Sequence, residues 1–156
     1  MPNIYHTLEL LPARTEHAYQ LAPVMKAADR EEVKAASGFE PLEALLKSLD
    51  LSEKAYAMVA GEEVIALGGL VPLTQEIGIP WALTSDKTAL YPKQFCKITK
   101  ELLKEFHESH PILTNFCDAR STTTIRWLKW CGFKIVATIP EYGVEKKQFV
   151  QFLSLK

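Results

Sequence analysis

The chain has 156 residues, of which 47% are hydrophobic and 24% charged, with a formal net charge of -1. That describes one ordinary globular domain over residues 1–156, long enough to bury a core. The near-neutral balance gives no reason to expect nucleic acid or an anionic membrane surface as a partner.

Residues Tyr5 to Leu11 alternate polar and apolar and predict a first strand. No secretory leader pattern or membrane-length apolar run is expected here or further along. Thr15 then stands as the N-cap of a helix whose apolar face is Ala18, Leu21, Ala22 and Met25, with a kink or restart at Pro23. Asp29 and Glu32, three apart, form the pattern of a capping box for a second helix that Gly38 ends. A third helix begins near Pro41.

The period changes after residue 54. "AYAMVA" and "VIALGGLV" predict a hairpin turning at Gly61, and "EIGIPWALTS" a third strand of this group, with Pro80 marking a bulge or an edge. A long helix follows Pro92, with Tyr91, Phe95, Ile98, Leu102 and Phe106 on one face and Pro111 as its stop. "ILTNFCDA" is a strand and "STTTIRWLKW" a helix, and two final strands meet in a turn at "PEYGVEKK". Ser121 is read first as that last helix's N-cap, and Gly132 as its left-handed terminator. The order contains β-α-β-α-β, which predicts an α/β fold with a mixed, twisted sheet and helices on both faces.

This order resembles the GCN5-related N-acetyltransferase (GNAT) superfamily. The stretch from Ser121 to Phe133 is similar to that family's Asn-x-x-Ala-x-x-Leu-Tyr-x-x-x-Gly-Phe, with Gly132 and Phe133 in register. Ser121 replaces the Asn, Thr124 the Ala, Trp127 the Leu and Leu128 the Tyr. The family's glycine-rich Arg/Gln-x-x-Gly-x-Gly/Ala loop is replaced by "TSDKTALYPKQF", which has no glycine. Lys87 and Lys93 are its candidate phosphate partners. A narrower resemblance runs through "MKAADREEVKAASGFEPLEALLKSL", "GIPWALTS", "IRWLKWCGF" and "YGVEKKQFVQF", to a phage family named for an internal virion protein of T7-like phages.

The superfamily resemblance implies acyl transfer from acetyl-coenzyme A to an amine, with Trp81, Ala82, Leu83, Thr84 and Ser121 at the cofactor. The phage resemblance implies either an acetyltransferase-like protein of phage or prophage type or, as the alternative, a non-catalytic virion or assembly protein with phage structural proteins as partners, in the host cytoplasm or the virion. No residue is assigned as catalytic. Glu40, Glu43, Glu76, Asp86 and Asp118 are the available carboxylates for a base, and Tyr142 is a possible acid. Trp81 is equally readable as core or as the wall of a cleft.

Cys96, Cys117 and Cys131 are odd in number and widely spaced, which reads as buried reduced thiols. His107 and His110 are three apart near a helix end, where they suit the helix dipole better than a metal. His6 and His17 are isolated, and no metal site is expected.

Overall fold

The computed structural model describes residues 7–156. The strands are β1 (Leu8–Pro12), β2 (Lys54–Ala60), β3 (Glu63–Pro72), β4 (Ile77–Thr84), β5 (Ile112–Asp118), β6 (Lys134–Tyr142) and β7 (Lys147–Leu155). The helices are α1 (Thr15–Leu21), α2 (Ala27–Ser37), α3 (Pro41–Leu51), α4 (Pro92–Ser109) and α5 (Thr122–Trp130). The described strands form one sheet in the order β1-β2-β3-β4-β5-β7-β6. Its neighbours are antiparallel except β4 and β5, which are parallel. Of the predicted first strand, Tyr5 and His6 lie outside the described residues.

Strand alternation sorts the core into two layers. In β2, Ala57 and Val59 face α1 and α3, where they pack with Ala18, Leu21, Ala44 and Leu45. Their neighbours Met58 and Ala60 face the other way, onto Tyr91, Phe95 and Ile98 of the α4 segment. Further along that second face, Phe106 of α4 and Leu128 of α5 cover Leu113, Cys117, Val150 and Phe152. The helical face expected from Tyr91 to Phe106 is therefore the buried one.

Several ends form as the residue types require. Gly61 turns the β2–β3 hairpin at φ 62°. Gly132 adopts φ 102°, where its N–H donates to the Lys129 carbonyl at 3.1 Å. The Phe133 N–H donates to the Leu128 carbonyl at 3.0 Å. This bond pair is a Schellman motif, and buried Leu128 and Phe133 supply its apolar contact.

Other ends differ from expectation. Thr15 is the first helical residue and Arg14 the cap; His17 Nδ1 accepts the Arg14 N–H at 2.9 Å. Ser121 holds the cap position of α5, but its φ/ψ of -81°/69° is not extended and its hydroxyl makes no capping bond. After Leu21 the chain tightens into a 3₁₀ turn, Ala22–Val24, as Pro23 demands. Asp29 and Glu32 form no capping box. Helix α2 begins at Ala27 with Lys26 as its cap, which puts both carboxylates inside the helix.

Candidate functional site

Strands β4 and β5 begin as partners and then part. Only Ile77↔Ile112 and Gly78↔Leu113 are paired. Asn115 bridges the start of the gap, with its Nδ2 donating to the Pro80 carbonyl at 2.8 Å. Its Oδ1 accepts the neighbouring Phe116 N–H, also at 2.8 Å. The β3–β4 register runs through Pro80 without a shift, so there is no bulge.

The far end of the gap is closed by α2. Asp29 Oδ2 accepts both the N–H of Thr84 (2.8 Å) and its hydroxyl (2.9 Å), while the Lys26 N–H donates to the Thr84 carbonyl at 2.9 Å. Glu32 Oε1 accepts the Asp118 N–H at 2.8 Å. Two carboxylates three apart share a helix face, and here each takes a backbone donor from one of the diverging strands. These are the candidate site residues that sequence reasoning missed. Their spacing was the available signal, because it suits a two-carboxylate face as well as a capping box.

Because Thr84 turns its N–H and C=O away from β3, Pro80 and Ala82 do the same under the two-residue alternation of the strand. Pro80 lacks a donor on the side that has no ladder. Ala82 directs its N–H into the gap, where no acceptor among the described residues takes it.

Between the two ends lies a cleft of about 260 Å³ that passes through the sheet. On the α2 face its walls are Glu32, Trp81, Phe116, Tyr142 and Phe149. On the α4/α5 face they are Phe95, Thr99, Leu103, Thr124, Trp127 and Cys131. Tyr142 is stacked between Phe116 (4.9 Å between ring centres) and Phe149 (4.5 Å). Trp81 also packs on the α1/α3 core, and its Nε1 donates to Ser52 Oγ at 2.7 Å, so it forms a wall and does not fill the space. Gly69 makes room for this indole: a Cβ there would lie 2.9 Å from Trp81 Nε1.

The electrostatics single out Glu32. Burial raises its carboxyl to about 7, and the charges of Asp29 and Asp118 push the same way. Protein surrounds it on most sides, but its remaining face opens to the cleft. Burial also raises Asp29. Asp118 is the contrast. Hydrogen bonds from Arg120, the closest at 2.6 Å, hold it below the usual carboxylate range, which makes it a poor base. Tyr142 is raised by burial and by the Glu32 charge, so it keeps its proton. Burial pushes the Cys117 and Cys131 thiols up to about 12, which makes neither a nucleophile.

The remaining sequence candidates scatter. Ala82 and Leu83 line the cleft with Trp81. Thr84 is spent on Asp29, and Ser121 lies on a neighbouring pocket with Lys26, Glu31 and Arg120 that adjoins the cleft at Thr124. Glu40, Glu43, Glu76 and Asp86 are exposed and outside the cleft. Lys87 pairs with Glu63. Tyr91 is buried in the α4 layer, away from the cleft. The turn Asp86–Leu90 and its flanks spend the N–H groups of Ser85, Thr88 and Tyr91 on carbonyls. Helix geometry leaves those of Lys93 and Gln94 without intrahelical partners. His107 Nε2 meets Ser154 Oγ at 2.9 Å and His110 Nδ1 meets Ser109 Oγ at 2.9 Å, so the two rings have separate partners. Among the described residues no three of His, Cys, Asp and Glu gather to hold a metal, and no helix is long and apolar enough to cross a membrane.

No protein-family model matches the chain, and no curated protein sequence does. Solved structures do match. A Bacillus subtilis acetyltransferase in complex with coenzyme A superposes with a TM-score of 0.67 at 13% identity, over 97% of this chain and 99% of that one. The ribosomal-protein-S18-alanine N-acetyltransferase of Escherichia coli gives 0.72 at 9% identity, over 96% and 94%. A GNAT family acetyltransferase from Elizabethkingia anophelis with acetyl-coenzyme A bound gives 0.66 at 13%, over 96% and 98%. The chain has the GNAT acyl-CoA N-acyltransferase fold. At these identities the GNAT likeness covers the whole architecture and leaves the chemistry to the residues of the cleft.

Proposed function

We propose that this protein transfers an acyl group from acyl-coenzyme A to an amine, and that Glu32 is the base that takes the amine's proton. The observation that carries the reading is a carboxyl held near 7 on the gap between the splayed strands. A base works best when its pKa lies near the operating pH. An ordinary carboxylate would be too weak, and Asp118 weaker still.

The two mouths divide the work. The acyl donor would enter on the α4/α5 face. There the Ala82 N–H can bond its carbonyl or amide oxygen, and the Lys93 and Gln94 N–H groups with the Lys93 charge can meet its phosphates. These residues fit an acyl-pantetheine arm without a glycine-rich loop. The acceptor would enter on the α2 face. Glu32 accepts a proton from the ammonium, and the neutral nitrogen attacks the thioester carbonyl carbon. The carbon–sulfur bond breaks, and the proton that the nitrogen sheds as the amide forms passes to the departing thiolate. The Tyr142 hydroxyl stands on the acceptor side, so its role is to hold the amine. Leu128 lies in the core and offers no proton to the thiolate.

Trp81, Phe116, Tyr142 and Phe149 surround one carboxylate. That suits a primary amine on an apolar or aromatic body better than a polycation. The deciding experiment is acetyl-coenzyme A binding by calorimetry and thermal shift, followed by turnover with an amine panel. Ligand at 100 times its dissociation constant should stabilise the fold by about 2.7 kcal/mol. Phenethylamine should be acetylated faster than spermidine. No binding at millimolar ligand would end the acyltransferase reading. The second reading, a non-catalytic phage virion or assembly protein, rests on sequence resemblance, and no feature of the cleft favours it.

A further inference from the structure

The C-terminal end of α2 is completed by a distant part of the chain. Helix geometry leaves the Ala35 and Ala36 carbonyls without intrahelical partners. The turn between β6 and β7 supplies them: the Glu145 N–H donates to the Ala35 carbonyl at 3.1 Å and the Val144 N–H to the Ala36 carbonyl at 3.3 Å. Gly143, the first residue of the turn, makes this approach possible. Its φ is 72°, and a Cβ there would lie 2.5 Å from the Ala35 oxygen and 2.6 Å from Ala36 Cα. A side chain at this position would push the turn off the helix. The contact joins two walls of the cleft. Val33 and Ala36 line it beside Glu32 on α2, and Tyr142, the residue before Gly143, lines it from β6. The titratable and charged groups that face Glu32 are Lys26 and Asp29 from the start of α2, Cys117 and Asp118 from β5, and Tyr142 from β6.

We infer that the seat of the β6–β7 turn on α2 is a latch that sets the acceptor pocket, and that Gly143 is the positioning residue that allows it. The inference rests on the acyl-transfer reading and deepens it. Glu32 is held from one side by β5, through the Asp118 N–H. The latch holds the opposite wall. The amine would then bind between a carboxylate and a hydroxyl whose separation two backbone hydrogen bonds fix. A loosened turn would let Tyr142 move away and water reach Glu32. Gly143 itself touches no substrate and moves no proton.

Gly143→Ala is strained at this φ and collides with α2, so it should unseat the turn. In the acetyl-transfer assay, kcat/KM for phenethylamine should fall about ten- to a hundredfold. The dissociation constant for acetyl-coenzyme A, which enters on the other face, should not change. The Glu32 carboxyl, followed by its carbon-13 shift against pH, should titrate lower than in the unmodified protein as water enters. Lys146→Gly is the control. It lies in the same turn, holds a left-handed φ of 52° and makes no bond to α2, so it should alter none of these. If Gly143→Ala keeps both kcat/KM and the Glu32 midpoint, or Lys146→Gly changes them equally, the inference is wrong and the transfer reading survives. If the unmodified protein acetylates no amine, both fall. Should Gly143→Ala fold poorly, hydrogen exchange in the unmodified protein decides. With coenzyme A present, saturating phenethylamine should slow the Val144 and Glu145 amides, and unchanged rates would overturn the inference.

Discussion

Strand β4 has two edges, and they are built differently. Toward β3, seven residue pairs run from Pro72↔Gly78 to Ala66↔Thr84 without a break. Toward β5, two pairs form and the strands separate. The backbone groups freed on the second edge still need partners, because a buried polar group left alone is costly. Side chains supply them: Asn115 for Pro80 and Phe116, Asp29 for Thr84, Glu32 for Asp118. The closed edge makes the fold and the open edge makes the candidate site. A carboxylate recruited to satisfy a strand N–H is also left in the cleft with a perturbed proton affinity.

The largest expected effect separates those two duties of Glu32. Glu32→Gln keeps a carbonyl oxygen for the Asp118 N–H and loses the base. Turnover with an amine acceptor should fall about 10²- to 10⁴-fold, with the dissociation constant for acetyl-coenzyme A little changed. In the unmodified protein the rate should rise with pH through about 7 as Glu32 ionises, and in the variant that step should vanish. A variant with full activity and the same pH profile would remove Glu32 from the mechanism.

The same substitution sharpens the comparison through stability. Glu32 is raised from 4.5 to about 7 in the folded state. Below about 4.5 both folded and unfolded forms hold the proton, and stability is unaffected. Between 4.5 and 7 the unfolded chain ionises first, so stability falls as pH rises, by about 3 kcal/mol in all. Above 7 the penalty is constant. Asp29, also raised, works in the same direction, whereas Asp118, held down by Arg120, contributes stability that is lost only in acid. Chemical denaturation from pH 4 to 8 should show the decline in the natural protein and a much shallower one in Glu32→Gln. Equal slopes would mean that Glu32 ionises freely.

Asp29→Ala tests the other strand. It leaves the Thr84 N–H and hydroxyl without their acceptor at the closed end of the gap. The expected cost is about 1–3 kcal/mol, with hydrogen exchange accelerated at Thr84 and unchanged at the Leu67 and Gly69 positions of β3, whose pairs with β4 are Leu83 and Trp81. Uniform acceleration across β3 and β4 would show that the two edges are not independent.

How much of this was legible beforehand depends on distance along the chain. The Gly61 hairpin, the α4 face from Tyr91 to Phe106 and the Gly132 terminator depend on residues within a few positions of each other, so periodicity and turn chemistry found them. The role of Glu32 depends on a backbone N–H 86 positions away, and that of Asp29 on Thr84, 55 positions away. Locally the pair looks like a helix start, and nothing near it says otherwise. Trp81 was equally readable as core or wall because it is both. Ser121 had the right residue type for a cap, but the backbone entering α5 is not extended there and its hydroxyl makes no capping bond.

The smallest expected effect concerns Pro80, and its sign matters more than its size. Proline inside a sheet usually removes a ladder bond. Here the alternation set by Thr84 turns position 80 toward β5, past the last β4–β5 pair, where no ladder exists. Pro80→Ala should therefore restore no strand bond. It gives the unfolded chain more freedom, so stability should fall by about 0.4–1 kcal/mol. The Pro80 carbonyl keeps its bond from Asn115, so the cleft should keep its affinity for acetyl-coenzyme A. If stability instead rose, the missing N–H would have been costing a bond to β3. The open edge of β4 would then face the wrong way for Ala82 to meet a ligand.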